Sequence, residues 1–160
     1  MNKPVIQLYE YNIWANDRVV DHLQSLPDEV FGQEVNMGFK SIAAVLRHLV
    51  SADEVWFERM KEGAGGLAPV AGDPYASAEE ARLAMSALQS RIRKFLIAAT
   101  DLDKIVTYKN AAGQQFQNSI AEIVQQTVNH GTYHRGNITT ILRHLGHSGA
   151  QTDYIIYLRR

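Results

Sequence analysis

The chain has 160 residues, 46% of them hydrophobic and 21% charged, with a formal net charge of -1 and no cysteine. That length suits a single domain with a buried core. The charge balance offers no basic field for nucleic acid or an anionic membrane. The lack of cysteine excludes disulfides, thiolate-held iron–sulfur clusters and a thiol nucleophile supplied by the protein.

No apolar run is long enough to span a bilayer, and the first ten residues lack the apolar stretch of a secretory leader. The expectation is a cytoplasmic protein that neither enters a membrane nor binds nucleic acid. A first helix is predicted over about residues 5–26, where Leu8, Tyr11, Ala15, Val19, Leu23 and Leu26 recur at three- and four-residue steps. Pro27 stops it, and a connection containing Gly32 and Gly38 follows. Ser41 is the expected N-cap of a second helix, with Ile42, Val45, Leu49, Trp56 and Met60 as its apolar stripe. Gly63, Gly65 and Gly66 end that helix, and Pro69, Gly72 and Pro74 keep the next segment irregular.

Ser77 and Glu80 have capping-box spacing and open a third helix to about Thr100, with Leu83, Ala87, Leu88, Ile92, Phe95 and Leu96 expected in the core. The β-branched and aromatic run 104–109, the turn 110–113 and the stretch 114–117 predict a small β-hairpin. Ser119 and Glu122 form a second capping-box pattern, opening a fourth helix to about Leu145, with Gly146 as its stop. The tail, 152–158, is too apolar to float free and should dock. The fold class expected is all-α: one domain over 1–160, a four-helix bundle with a crossover connection and a small hairpin before the last long helix.

The chemistry concentrates in three histidines. His130 and His134 are four residues apart on the fourth helix, and so share a face. His48 lies on the second helix, in Leu46-Arg47-His48-Leu49. A single helical histidine is ordinarily a hydrogen-bonding residue and no more. A pair on a core-facing stripe needs partners, because a buried polar group left unpaired costs about 1–3 kcal/mol. One divalent ion would satisfy both, and a third imidazole would leave the open fourth position of a catalytic zinc site. Gln126 and Asn137 flank the pair and are candidates to orient ligands or hydrogen-bond a substrate; polar residues at the edge of the stripe are the plainer reading. His22, His144 and His147 sit near helix ends and stay outside the site. Two common metal patterns are absent: Gly131 stands where a zinc protease needs its general-base Glu, and no Glu-x-x-His occurs.

Four segments in order, Tyr11-Asn12-Ile13-Trp14-Ala15-Asn16, Leu46-Arg47-His48-Leu49 with Glu54 and Trp56, Asn129 through Ile138, and Thr152 through Leu158, resemble the DinB-like family of metal-binding four-helix bundles. The resemblance implies that His48, His130 and His134 form a metal triad for one divalent ion, with zinc or nickel foremost. It also implies an up-down-down-up bundle, frequent homodimers, and in some relatives transfer of a low-molecular-weight thiol to an electrophile. It does not imply DNA binding. Coordination to a divalent ion deprotonates a thiol, and this cysteine-free chain would take that thiol as a cosubstrate. Tyr133, Asn12, Asn16 and Gln126 are candidate polar contacts for the small-molecule substrate. Hydrolysis of a small substrate, with water as the nucleophile, is the alternative at the same site. A non-enzymatic metal- or ligand-binding protein of a stress response is the other.

Overall fold

The computed structural model describes residues 3–61 and 72–160, so the predicted breakers Gly63, Gly65, Gly66 and Pro69 lie outside the described residues. Among the described residues, six helices and one two-stranded sheet follow in the order α1 Lys3–Gln24, α2 Asp28–Gly32, α3 Ile42–Met60, α4 Ala78–Ala98, β1 Ile105–Lys109, β2 Gln115–Ser119, α5 Ile120–His144 and α6 Tyr154–Leu158. The four long helices interlock: α1 packs against α4 and α5, and α3 packs against the same two. Tyr9, Leu46, Met60, Ile92, Leu96, Ile123, Ile138 and Leu142, contributed by all four, are each almost fully buried.

The caps place the helices. Ser41 Oγ accepts from Ala44 N at 3.1 Å and starts α3. Ser77 Oγ accepts from Glu80 N at 3.1 Å to start α4, but the Glu80 carboxylate accepts from Ala76 N at 2.7 Å, so the box closes one residue early. At α5 the box is complete: Glu122 N donates to Ser119 Oγ at 3.1 Å, and Ser119 N donates to Glu122 Oε2 at 2.9 Å. α5 ends as expected at Gly146, whose φ of 88° only glycine adopts freely. The following His147 N–H closes onto the Leu142 carbonyl at 2.8 Å.

Three elements differ from the expectations. The connection after Pro27 contains the short helix α2, anchored by buried Val30 and Phe31. Five residues are too few to show a helical period. The apolar stripe of α4 is Ala81, Met85, Leu88, Ile92 and Leu96. Leu83 is 62% exposed, since it falls between the four- and three-residue steps of that stripe. Ala87 is exposed for the same reason, and Phe95 is half-buried. The tail docks as expected, but as the helical turn α6: Tyr11 Oη donates to the Thr152 carbonyl at 2.9 Å, and Tyr157 packs 5.6 Å from Trp14.

β1 and β2 pair antiparallel, with Tyr108 opposite Phe116 and Ile105 opposite Ser119. Val106 and Tyr108 face inward, and Tyr108 meets Trp56 of α3 edge-on at 5.8 Å. The hairpin leads directly into the Ser119 cap, which fixes where α5 begins and hence which face carries its histidines.

Candidate metal centre

α5 runs Thr127, His130, His134, Ile138 and Ile141 along its inward side, and α3 brings His48 to meet it. His130 Nε2 lies 3.2 Å from His48 Nε2 and 3.0 Å from His134 Nε2. The ring centroids are 4.4 to 5.1 Å apart. One such contact is an ordinary hydrogen bond, with one nitrogen donating and the other accepting. Three nitrogens turned toward one another cannot all be satisfied that way, because each neutral imidazole has one N–H.

A cation meets the same geometry better. Metal–nitrogen bonds of about 2.0–2.1 Å at tetrahedral angles separate the nitrogens by about 3.3 Å, slightly more than the two spacings seen here. The three residues each offer one ligand nitrogen, all within 4.8 Å of one another. Charge chemistry agrees. Burial lowers the pKa of His48, and burial and then His48 lower that of His130. His134 is lowered to about 4, first by burial and then by His130 and His48. All three are neutral near pH 7, with lone pairs available to a Lewis acid.

Asn137, one turn beyond His134, places its amide 3.2 Å from His134 Nδ1. Its Nδ2–H donates to the Nδ1 lone pair and so fixes the orientation of the ring that turns Nε2 toward the other two imidazoles. His130 Nδ1 is buried without a hydrogen-bond partner among the described residues, so Nε2 is that ring's one partnered nitrogen. Phe39, from the segment before α3, stands against two of the imidazoles, 5.4 Å from the His48 ring and 5.3 Å from the His134 ring. A Val35 N–H to Lys40 carbonyl bond of 2.8 Å holds that segment in place. Tyr133 is 68% exposed and lies edge-on to His134 at 5.0 Å.

The other sequence candidates fall elsewhere. Gln126 is exposed, and no described hydrogen bond ties it to the imidazoles. Asn12 and Asn16 are buried and accept from Arg135 Nη1 at 2.8 and 2.7 Å. Arg135 is 3% exposed and also donates to Thr132 Oγ1 at 2.9 Å. The buried Asp53, across on α3, has its pKa raised to about 7 by burial, with Arg135 opposing the shift. Sequence reasoning passed over Arg135, Asp53 and Phe39. The Asn12/Asn16 pair, four residues apart on an otherwise apolar helix face, was the one signal that a buried donor had to come from another element.

The class of protein is therefore a helical one in which two packed helices bring three neutral imidazoles to a common point. The chain belongs to the DinB family, whose model matches residues 1–160. It is 34% identical to Protein DinB of Bacillus subtilis (strain 168), with 99% of this chain and 95% of that protein covered. Its fold is also similar to the crystal structure of a DinB-like protein from Bacillus cereus ATCC 10987, with a TM-score of 0.70, 19% identity, and 93% of this chain and 95% of that one covered. No described helix is long and apolar enough to cross a membrane.

Proposed function

We propose that the protein binds one divalent ion through His48, His130 and His134, zinc or nickel being the candidates, and transfers a low-molecular-weight thiol to a small electrophile. The observation that carries this reading is the approach of the His48 and His134 Nε2 atoms to His130 Nε2 at 3.2 and 3.0 Å, where protons alone cannot satisfy all three. Three imidazoles suit several first-row ions. The up-down-down-up course of the four long helices, with its crossover, and assembly as a homodimer belong to the same proposal.

The bound ion would supply Lewis acidity, holding a cosubstrate sulfur as its anion at neutral pH. The chain's own contribution is positional. Asn137 fixes the His134 ring, Phe39 braces the His48 and His134 rings, and burial keeps all three imidazoles unprotonated. In the transfer a sulfur–carbon bond forms as the bond from carbon to its leaving group breaks. The leaving group departs with the electron pair, and the thiol proton goes to solvent. No cysteine competes as the nucleophile.

The test begins with metal content. Wild-type protein should carry about one equivalent of a divalent ion, and His48→Ala and His134→Ala should carry none while keeping a helical circular-dichroism spectrum. Loaded wild type should then conjugate bacillithiol, glutathione or a related thiol to a halogenated arene faster than His48→Ala does. Metal bound without turnover for any thiol would remove the transferase step and leave a metal-binding protein. No metal in any sample after reconstitution would remove the whole reading.

A further inference from the structure

Beside the imidazoles lies a groove of about 210 Å³ lined by Met37, Phe39, Tyr133, Asn137, Thr140 and Ile141. Four of these side chains are apolar or aromatic, two are neutral and polar, and none is charged. Met37 is 37% and Tyr133 68% exposed, although both are large side chains whose burial would be favourable. The groove joins the metal centre through shared residues. Phe39 touches the His48 and His134 rings, Tyr133 meets the His134 ring edge-on, and Asn137 reaches His134 Nδ1.

From this lining we infer that the groove is a binding site for a single neutral aromatic ring carrying one hydrogen-bond donor. Its volume falls below the roughly 300–1,000 Å³ of pockets that enclose a drug-sized ligand, so it holds one ring and not a whole cofactor. Phe39 and Tyr133 offer ring edges and faces, and Met37 offers a polarisable sulfur, all of which favour an aromatic guest over an alkyl one. With the ion removed, a charged guest would lose its hydration without gaining a counter-charge from the lining side chains. The polar contact is directional: Thr140 Oγ1 donates to the Gly136 carbonyl at 3.0 Å, which leaves its lone pairs to accept from the guest. That this ring belongs to the electrophile rests on the proposed function; that the groove takes such a ring does not.

The probe is phenol, with benzoate as its charged match, titrated into the full-length chain after chelator treatment. The readout is the methyl NMR signals of Met37, Thr140 and Ile141. Phenol should shift all three along one saturating curve, and benzoate should bind at least about tenfold more weakly, a difference of about 1.4 kcal/mol. Thr140→Trp, at an exposed position, fills the groove and should abolish the phenol shifts at Met37 and Ile141 while metal content stays at the wild-type value. Met37→Glu, on the segment between α2 and α3, should weaken phenol in the same direction and serves if the tryptophan variant fails to fold. The absence of saturating shifts, equal binding of benzoate, or phenol binding indifferent to both substitutions would overturn the inference. Phenol binding in a protein that never takes up metal would leave the groove standing and remove only the metal reading. Metal uptake without phenol binding would do the reverse.

Discussion

Two neighbouring faces of α5 treat buried nitrogen in opposite ways. On one, His130 and His134 meet His48 with like groups facing like groups, and beside burial His48 depresses the basicity of His130 and both depress that of His134. On the other, Arg135 is enclosed by the Asn12, Asn16 and Thr132 oxygens, a charge surrounded by acceptors. The second arrangement matches both guanidinium Nη atoms with acceptors of the chain, and only Arg135 Nε and the nearby Asp53 Oδ1 lack a partner among the described residues. The first is complete only when something electron-poor joins it. Buried polar groups matched within the protein hold the fold together; buried polar groups matched only to each other mark where a ligand belongs.

If that contrast holds, the two clusters should break differently. Arg135→Met removes the one charge that Asn12 and Asn16 both face and that opposes burial of Asp53. Loss of charge-assisted bonds and an uncompensated buried carboxyl should cost about 3–5 kcal/mol in urea unfolding. The fraction that remains folded should still bind metal. A loss of less than about 1 kcal/mol would make the Arg135 cluster incidental to stability.

Gly131 sharpens the same contrast, because it lies between His130 and His134 yet serves the Arg135 side. A Cβ there would stand 2.5 Å from Asn12 Oδ1 and 2.8 Å from Arg135 Nη1. Both neighbours are held by their mutual bond and cannot withdraw without giving it up. Gly131→Ala should therefore cost about 1–3 kcal/mol, read as a lowered Tm. Gly136→Ala, where nothing lies within 4 Å of the added carbon, should leave Tm unchanged or raise it.

The contrast also explains what was legible in the sequence. The His130/His134 half of the histidine site was legible because it is local, whereas His48, 82 residues from His130, was assigned to the site through the family resemblance. His130 and His134 are one helical turn apart, and the caps at Ser41 and Ser119 fix the ends of the helices that carry the triad. The Arg135 cluster depends on partners 119 and 123 residues away in sequence, and no local pattern encodes that pairing. Asn12 and Asn16 read as possible substrate contacts because polar residues on a core face need some partner, and the sequence does not say which. Leu83 went wrong for a related reason: a leucine on an amphipathic helix reads as core until the phase of the neighbouring stripe is known. Phe39 gave no signal because it lies in a segment with no period of its own.

Protonation supplies the smallest but most specific test. Burial, then His130 and His48, lowers the pKa of His134 to about 4 from the ordinary imidazole value of 6.5. As pH falls below about 6.5 the unfolded chain takes up that proton first, so stability contributed by the neutral ring is present above that pH and lost as pH falls toward 4. His48 and His130, both lowered, add in the same direction. Asp53 works against them. Its pKa is raised to about 7 from 3.8, so between those values the folded state holds the extra proton and stability falls as pH rises. The net slope of the wild type therefore mixes two opposite signs across one window, and a single stability–pH curve would identify neither cluster. Differences separate them. Subtracting the urea-unfolding curve of His134→Gln from that of chelated wild type between pH 4 and 7 should leave a component that rises with pH; the same subtraction with Asp53→Asn should leave one that falls. Two differences of the same sign would mean that the two faces of α5 are not opposites, and that the imidazoles are held by partners within the fold just as Arg135 is.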